Sequence, residues 1–155
     1  MLNMSLKSFF LVILAGSLQT DVVLNGTVKS CFIGQPIVVG GVKVAAFQVS
    51  SVRPLVGLLQ AMDTMRITQA DTGSFQRFSA NYDQMISLDT TTTALVRTTS
   101  ATNGTFTLSM APVDSVLVVG YDLNDEYPFF YSYAVLSGQS SASFVLDMSA
   151  GHCGN

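Results

Sequence analysis

Two short segments, 42–49 and 115–121, constrain the fold most, because neither alternates apolar and polar residues as a half-exposed strand does. In the first segment Val44 and Phe47 fall on opposite faces of an extended chain, and both faces are apolar. The second segment, SVLVVGY from residue 115, is apolar on both faces as well. Strands of this kind are buried on two sides. The sheet that contains them therefore needs a covering layer on its outer face.

Five further segments have the Val, Thr, Phe and Tyr content of strands, and Gly, Pro, Asn, Asp and Ser residues bound them. Two of these, 104–110 and 141–148, alternate apolar and polar residues and are expected to have one solvated face. Short strands separated by turn residues predict a mostly β chain folded as an antiparallel sandwich. The seven predicted strands are 22–32, 41–49, 92–101, 104–110, 115–122, 128–136 and 141–148.

The segment 51–91 is the candidate covering layer. Residues 53–65 and 74–88 repeat apolar side chains at helical spacing, Pro54 suits a first helical turn, and Ser74 is a candidate cap. A loop of this length without secondary structure is uncommon in a compact domain. We therefore expect a two-helix insertion packed on the outer face of one sheet. The alternative is that the helices expose their Leu, Met and Phe side chains to bind a partner.

The N-terminus is typical of a secretory signal peptide. Lys7 precedes the apolar run 8–16, and small residues follow it. The run is too short to span a bilayer, which needs about 20 apolar residues. Ser17 stands where a bacterial lipoprotein signal would have its lipidated cysteine, so we expect no lipid anchor. We expect a signal peptide at 1–20, a single domain at 21–155, and a secreted or periplasmic location.

Two cysteines, Cys31 and Cys153, lie near the two ends of the expected mature domain. Export to an oxidising compartment favours a disulfide between them. A bond that closes so long a loop would stabilise the fold by roughly 4–5 kcal/mol in the chain-entropy model. The alternative is a pair of free thiols.

The chain is poor in charge. Charged residues make up 11% of the sequence, against about 25% in an ordinary soluble domain, and the net charge is −3. The sequence contains no run of Lys or Arg. A nucleic acid or an anionic membrane surface is therefore not an expected partner.

Catalytic and metal-binding chemistry has little support in the sequence. The single histidine, His152, lies in a glycine-rich tail beside Cys153, which is a poor platform for a catalytic base. We therefore expect no enzymatic activity and no cofactor. An acidic turn offers oxygen ligands for calcium without the spacing of an EF-hand loop, and its residues are weak metal candidates. They are Asp122, Asn124, Asp125 and Glu126.

An aromatic strand is the most suggestive surface feature. Tyr127, Phe129, Tyr131 and Tyr133 share one face of an extended chain at 126–133. If exposed, that face would form a platform for a sugar ring or a peptide, because Tyr combines stacking area with a polar end. The alternative is that these rings pack beneath the helical insertion.

The glycines and core residues of the chain resemble the carboxypeptidase regulatory-like domain. The matching stretches are GTV at 26–28, GQPIVVGGVKV at 34–44 and TTSATNGTF at 98–106. The likeness covers 22–50 and 92–148 and leaves out the insertion. It implies a seven-stranded, transthyretin-like Greek-key sandwich in which the second and fifth strands are neighbours.

The resemblance also implies a kind of role. Domains of this family are exported accessory modules, and the enzymes that carry them keep their catalytic residues in another domain. The expected function is thus non-enzymatic binding of a carbohydrate or a protein at the cell envelope. The alternative is a structural or assembly protein that pairs with a partner chain.

Overall fold

The computed structural model describes residues 20–32, 34–67, 72–122 and 131–149. This part of the chain is mostly β, with two sheets and two helices. The expected signal peptide lies outside the described residues, apart from Thr20. The strands are β1 (Val22–Phe32), β2 (Gln35–Val38), β3 (Lys43–Gln48), β4 (Val96–Thr99), β5 (Thr105–Met110), β6 (Ser115–Tyr121), β7 (Tyr131–Ser137) and β8 (Ala142–Asp147), and the helices are α1 (Arg53–Ile67) and α2 (Thr72–Thr91).

The strands divide between two sheets. In the first sheet β1 pairs antiparallel with β5 and β2 and parallel with β8. The second sheet has the order β4-β3-β6-β7, and all its pairs are antiparallel. Its central pair, β3 and β6, consists of the two segments whose sequences are apolar on both faces.

Two expectations about the strands need correction. The described residues contain eight strands and not seven, because Gln35–Val38, which none of the seven predicted strands includes, pairs with the end of β1. Gly34 makes the turn before it with a φ of 73°, and Pro36 is tolerated because β2 is an edge strand. The sandwich is also not wholly antiparallel, since β8 runs parallel to β1. Alternation along a strand carries no information about its direction.

Two apolar cores lie on opposite faces of the second sheet. The inner core, between the sheets, includes Val44 and Val118, which are buried. The outer core, between the second sheet and the helices, includes Phe47 and Leu117, which are fully buried. The helices therefore provide the covering layer that the sequence requires.

Both helices form where the apolar spacing predicts them. Leu59 and Met62 of α1 and Phe78 and Met85 of α2 are buried in the outer core. Among the α1 residues whose burial the structure describes, the exposed ones are Arg53, Pro54, Gly57, Gln60, Ala61 and Thr64, and none of these is a large hydrophobic residue. Among the described residues, no helix has the length and hydropathy that crossing a membrane requires.

The start of α2 differs from the expectation. The helix begins at Thr72, so Ser74 lies inside its first turn and is not its cap. Gly73, just before Ser74, is also helical.

Candidate functional site

The described part of the aromatic strand faces the helices. Tyr131 is fully buried, and its hydroxyl donates a hydrogen bond to Oδ1 of Asp63 at 2.8 Å. Its ring centroid lies 6.1 Å from that of Phe78 and 6.5 Å from that of Tyr82. Tyr131 is therefore a core residue and cannot offer its ring to a sugar.

Tyr133 lies on the same face and is half-buried against the outer core. Burial and a hydrogen bond to Asp63 raise the pKa of Tyr133 to about 12. The other two residues of the predicted platform, Tyr127 and Phe129, lie outside the described residues. The described portion thus packs beneath the helical insertion.

The remaining sequence candidates form no centre in the described residues. Asp122 is half-buried, and its backbone carbonyl accepts a hydrogen bond from the Tyr82 hydroxyl at 2.8 Å. Within the described ranges, no group of three or more His, Cys, Asp or Glu side chains is placed to hold a metal ion. Cys31 lies half-buried at the end of β1. Outside the described residues lie Asn124, Asp125, Glu126, His152 and Cys153.

A charged cluster lies instead where α2 ends over the second sheet. Asp89, in the last turn of α2, is fully buried. Its Oδ2 accepts a hydrogen bond from Nη1 of Arg97 at 2.7 Å and another from the Tyr121 hydroxyl at 2.6 Å. The contact with Arg97 is also an ion pair. One carboxylate oxygen thereby joins α2 to β4 and β6.

Strand register explains why these side chains meet. Arg97 of β4 is paired with Ala45 of β3, and Lys43 of β3 is paired with Tyr121 of β6. Side chains two residues apart on a strand share a face, so Lys43 and Ala45 face the helices together with Arg97 and Tyr121. Ala45 is small and leaves room above it for Asp89.

Several contacts fix the guanidinium of Arg97. Its Cζ lies 5.4 Å from the ring centroid of Phe47, within the range of a cation–π interaction. Its Nη2 donates to the backbone carbonyls of Asp89 and of Thr92, the latter at 3.1 Å. These carbonyls lie at the end of α2, where backbone acceptors lack helical partners. Arg97 is therefore held in one orientation before any ligand arrives.

A hollow of about 350 Å³ opens beside this cluster, and we call it the α2 hollow. Oδ1 of Asp89 is buried and accepts no hydrogen bond from any described residue. An unsatisfied buried acceptor costs about 1–3 kcal/mol, and more when it is charged. The residues that line the α2 hollow include Lys43, Ala45, Asp89, Thr90, Arg97 and Tyr121.

Electrostatics make the α2 hollow a hydrogen-bonding site. Burial is the main cause that raises the pKa of Tyr121 well above its ordinary range, and the hydrogen bond to Asp89 raises it further. The phenol of Tyr121 therefore stays protonated and donates a hydrogen bond. Asp89 accepts, and Arg97 and Lys43 donate. The arrangement can hold a polar ligand through several simultaneous hydrogen bonds.

Sequence reasoning missed this cluster, although a signal was present. In α2 the buried residues Phe78, Tyr82 and Met85 follow helical spacing, and Asp89 occupies the next position of the same face. A carboxylate at a core position of a helix requires a buried partner. The second predicted helix ends at residue 88, one position before Asp89.

A second hollow, of about 450 Å³, lies on the outer face of the first sheet. Its side chains are neutral, and Thr107 donates a hydrogen bond to Oδ1 of Asn25 at 3.0 Å. Thr27, Thr105 and Ser143 also line it. This face has the composition of an ordinary solvated sheet surface and lacks the buried charge of the α2 hollow.

No protein-family model and no curated protein matches the chain. The geometry of the α2 hollow is therefore the basis on which a function can be assigned. Three elements position its charged and phenolic groups: α2 holds Asp89, β4 holds Arg97 and β6 holds Tyr121. Lys43 of β3 is exposed in the same hollow.

Proposed function

We propose that the mature chain is an exported, non-enzymatic module that binds a carbohydrate at the cell envelope, and that the α2 hollow is its binding site. One observation carries the proposal. The fully buried carboxylate of Asp89 lies on the wall of the hollow with one oxygen that no described residue satisfies. Native proteins pair the great majority of such groups. A ligand hydroxyl would supply the missing donor.

The mixture of groups fits a sugar. A sugar hydroxyl both donates and accepts hydrogen bonds, and the hollow has an acceptor in Asp89 and donors in Arg97 and Lys43. Its volume of about 350 Å³ is at the lower end of the range for small-ligand pockets. It would therefore take one or two sugar rings.

The same groups are poorly suited to catalysis. The raised pKa of Tyr121 leaves its phenol protonated at neutral pH, so it does not act as a general base. Oδ2 of Asp89 is engaged by both Arg97 and Tyr121. These side chains would hold and orient a ligand and would not transfer protons.

We also propose that the β layers are a transthyretin-like Greek-key sandwich of the carboxypeptidase regulatory-like type, with β2 as an added short strand. Two observations support this proposal. Strands β3 and β6, which correspond to the second and fifth strands of that family, pair with each other. Three glycines of the matching stretches, Gly34, Gly41 and Gly104, have positive φ, as turn glycines should.

A glycan array followed by calorimetric titration of the mature domain tests the binding proposal. We expect at least one glycan to bind, and Lys43→Gln to weaken its binding about fivefold or more, because a charged hydrogen bond is lost. Lys29→Gln is the matched control, since Lys29 is an exposed lysine on β1 of the first sheet. The proposal is wrong if no glycan binds, or if both variants bind as the parent does.

A structural role is the second candidate, and β2 is the observation that favours it. Ile37 and Val38 are 44% and 52% exposed on this strand. In the described residues β2 pairs only with β1, so its other edge is available to a partner strand. Sedimentation of the parent and of Ile37→Lys tests this role: a parent that associates and a variant that does not would support it.

A further inference from the structure

The charge in the α2 hollow is unbalanced. Two cationic side chains, Lys43 and Arg97, and one carboxylate, Asp89, lie on its walls. Asp89 is already paired with Arg97, and Lys43 makes no salt bridge to any described residue. The hollow thus has one positive charge in excess, although the chain as a whole carries a net charge of −3. Such a local reversal of sign favours an anionic ligand.

Building on the binding function proposed above, we propose that the ligand is an acidic sugar, and that Lys43 and Arg97 bind its carboxylate. A hydroxyl on the same ring would donate to Oδ1 of Asp89. The guanidinium presents a planar array of donors that matches a carboxylate. Lys43 adds a mobile point charge at the exposed side of the hollow.

Arg97 is prepared for this role by its surroundings. Its side chain is 42% exposed, so a ligand can reach it. Asp89, the carbonyl of Thr92 and the ring of Phe47 fix its position. Binding a carboxylate therefore costs little side-chain entropy at Arg97, and preorganisation of this kind favours affinity.

Asp89 has two consequences for specificity. Its buried negative charge repels an anion that penetrates too deeply, so the carboxylate is kept near Lys43 and the outer N–H groups of Arg97. Its unsatisfied Oδ1 favours a ligand that carries a hydrogen-bond donor next to the ligand's own carboxylate. A uronic acid carries a carboxylate and ring hydroxyls on one small ring, which suits the volume of about 350 Å³.

Calorimetric titration with a galacturonic acid oligomer and with its methyl ester tests the inference. The two probes share the same sugar rings and differ in the charge of the carboxyl group. We expect the acid to bind the mature domain about tenfold more tightly than the ester, because it makes two charge-assisted contacts. We also expect the advantage to shrink as salt is raised.

Two variants locate the effect. Lys43→Gln should reduce the preference for the acid over the ester to about twofold or less, and Lys29→Gln on the first sheet should preserve it. Equal affinity for acid and ester would overturn the acidic-sugar inference and leave carbohydrate binding intact. A preference that survives in Lys43→Gln would place the charge recognition elsewhere, and a sulfated glycan preferred over the acid would overturn the carboxylate assignment.

Failure of the proposed carbohydrate binding gives a different result from failure of the acidic-sugar inference. If neither oligomer binds and the array shows only neutral glycans, the inference about charge is wrong and the proposed function stands. If no glycan binds at all, the proposed function itself is wrong. Near-equal thermal unfolding midpoints of Lys43→Gln and Lys29→Gln would show that any loss of affinity is not a loss of fold.

Discussion

At the scale of single residues, Gly26 shows how closely the inner core is packed. A Cβ built at Gly26 would lie 2.0 Å from Cζ of Phe106, whose ring meets that of Phe144 with centroids 5.6 Å apart. An alanine would force these rings to move. We expect Gly26→Ala to lower the free energy of unfolding by about 1–3 kcal/mol, as measured by urea titration.

Gly57 provides the matched control for that substitution. It is exposed on α1, and a Cβ built there would meet nothing within 4 Å. Gly57→Ala is expected to raise the free energy of unfolding by about 0.5–1 kcal/mol, because alanine favours the helix. If Gly26→Ala were as stable as the parent, the close contact with Phe106 would not limit the core.

Tyr133 makes the stability of the fold depend on alkaline pH. Burial and the hydrogen bond to Asp63 raise the pKa of Tyr133 from 10.0 to about 12. The folded state thus favours the protonated phenol, so this contribution is complete below pH 10 and is lost as the pH rises from 10 through 12. Urea titrations across this range should show a steeper loss of stability in the parent than in Tyr133→Phe. Parallel curves for the two proteins would contradict the assignment.

At the scale of elements, local patterns predicted the strands that are buried on both faces and the two helices. Burial on two faces and helical spacing depend only on the order of residues within one segment, so the sequence of that segment predicts them. Strand β2 could not be predicted in this way, because four exposed residues that include Pro36 become a strand only by pairing with β1. The α2 hollow has the same limit. Asp89, Arg97 and Tyr121 meet only through the register of three strands beneath a helix.

The covering function of the helices has its own test. Strands β3 and β4 are adjacent and antiparallel, so a short Gly/Ser linker can replace residues 53–91 between them. We expect this variant to bind a hydrophobic dye and to self-associate, because Phe47, Leu117 and Val119 lose their cover. Sedimentation and dye fluorescence measure both effects.

Threonine at Phe47, Leu117 and Val119 in the same linker variant is the control. These substitutions keep the β propensity of the strands and remove most of the apolar surface. Dye binding and self-association should then fall towards the parent values. A linker variant that stays monomeric without the threonines would contradict the covering function.

At the scale of the whole molecule, three layers share one sheet. The second sheet contacts the first sheet on one face and the helices on the other, so each of its central strands contributes to both cores. The inner core alone cannot bury the apolar side chains on both faces of these strands. The helical insertion is thus an integral layer of the fold, and its last turn also supplies Asp89 to the α2 hollow.

The parallel pairing of β1 and β8 joins the first and the last described strands of the fold. Lys29 pairs with Asp147, and the N–H of Met148 donates to the carbonyl of Lys29 at 2.8 Å. Cys31 follows Lys29 by two positions on β1. Cys153 lies outside the described residues, so the disulfide between it and Cys31 stays a prediction.

If the predicted disulfide forms, we expect Cys31→Ser to lower the free energy of unfolding by roughly 4–5 kcal/mol, because that bond would close a loop of more than about 100 residues in the unfolded chain. Cys153→Ser and the double variant should lose the same amount, since either substitution removes the whole crosslink. Urea titration measures these values, and reductant should change the parent and none of the variants. The mass of the parent should rise by two hydrogens on reduction. Additive losses in the double variant, or a parent insensitive to reductant, would show that the two thiols are free.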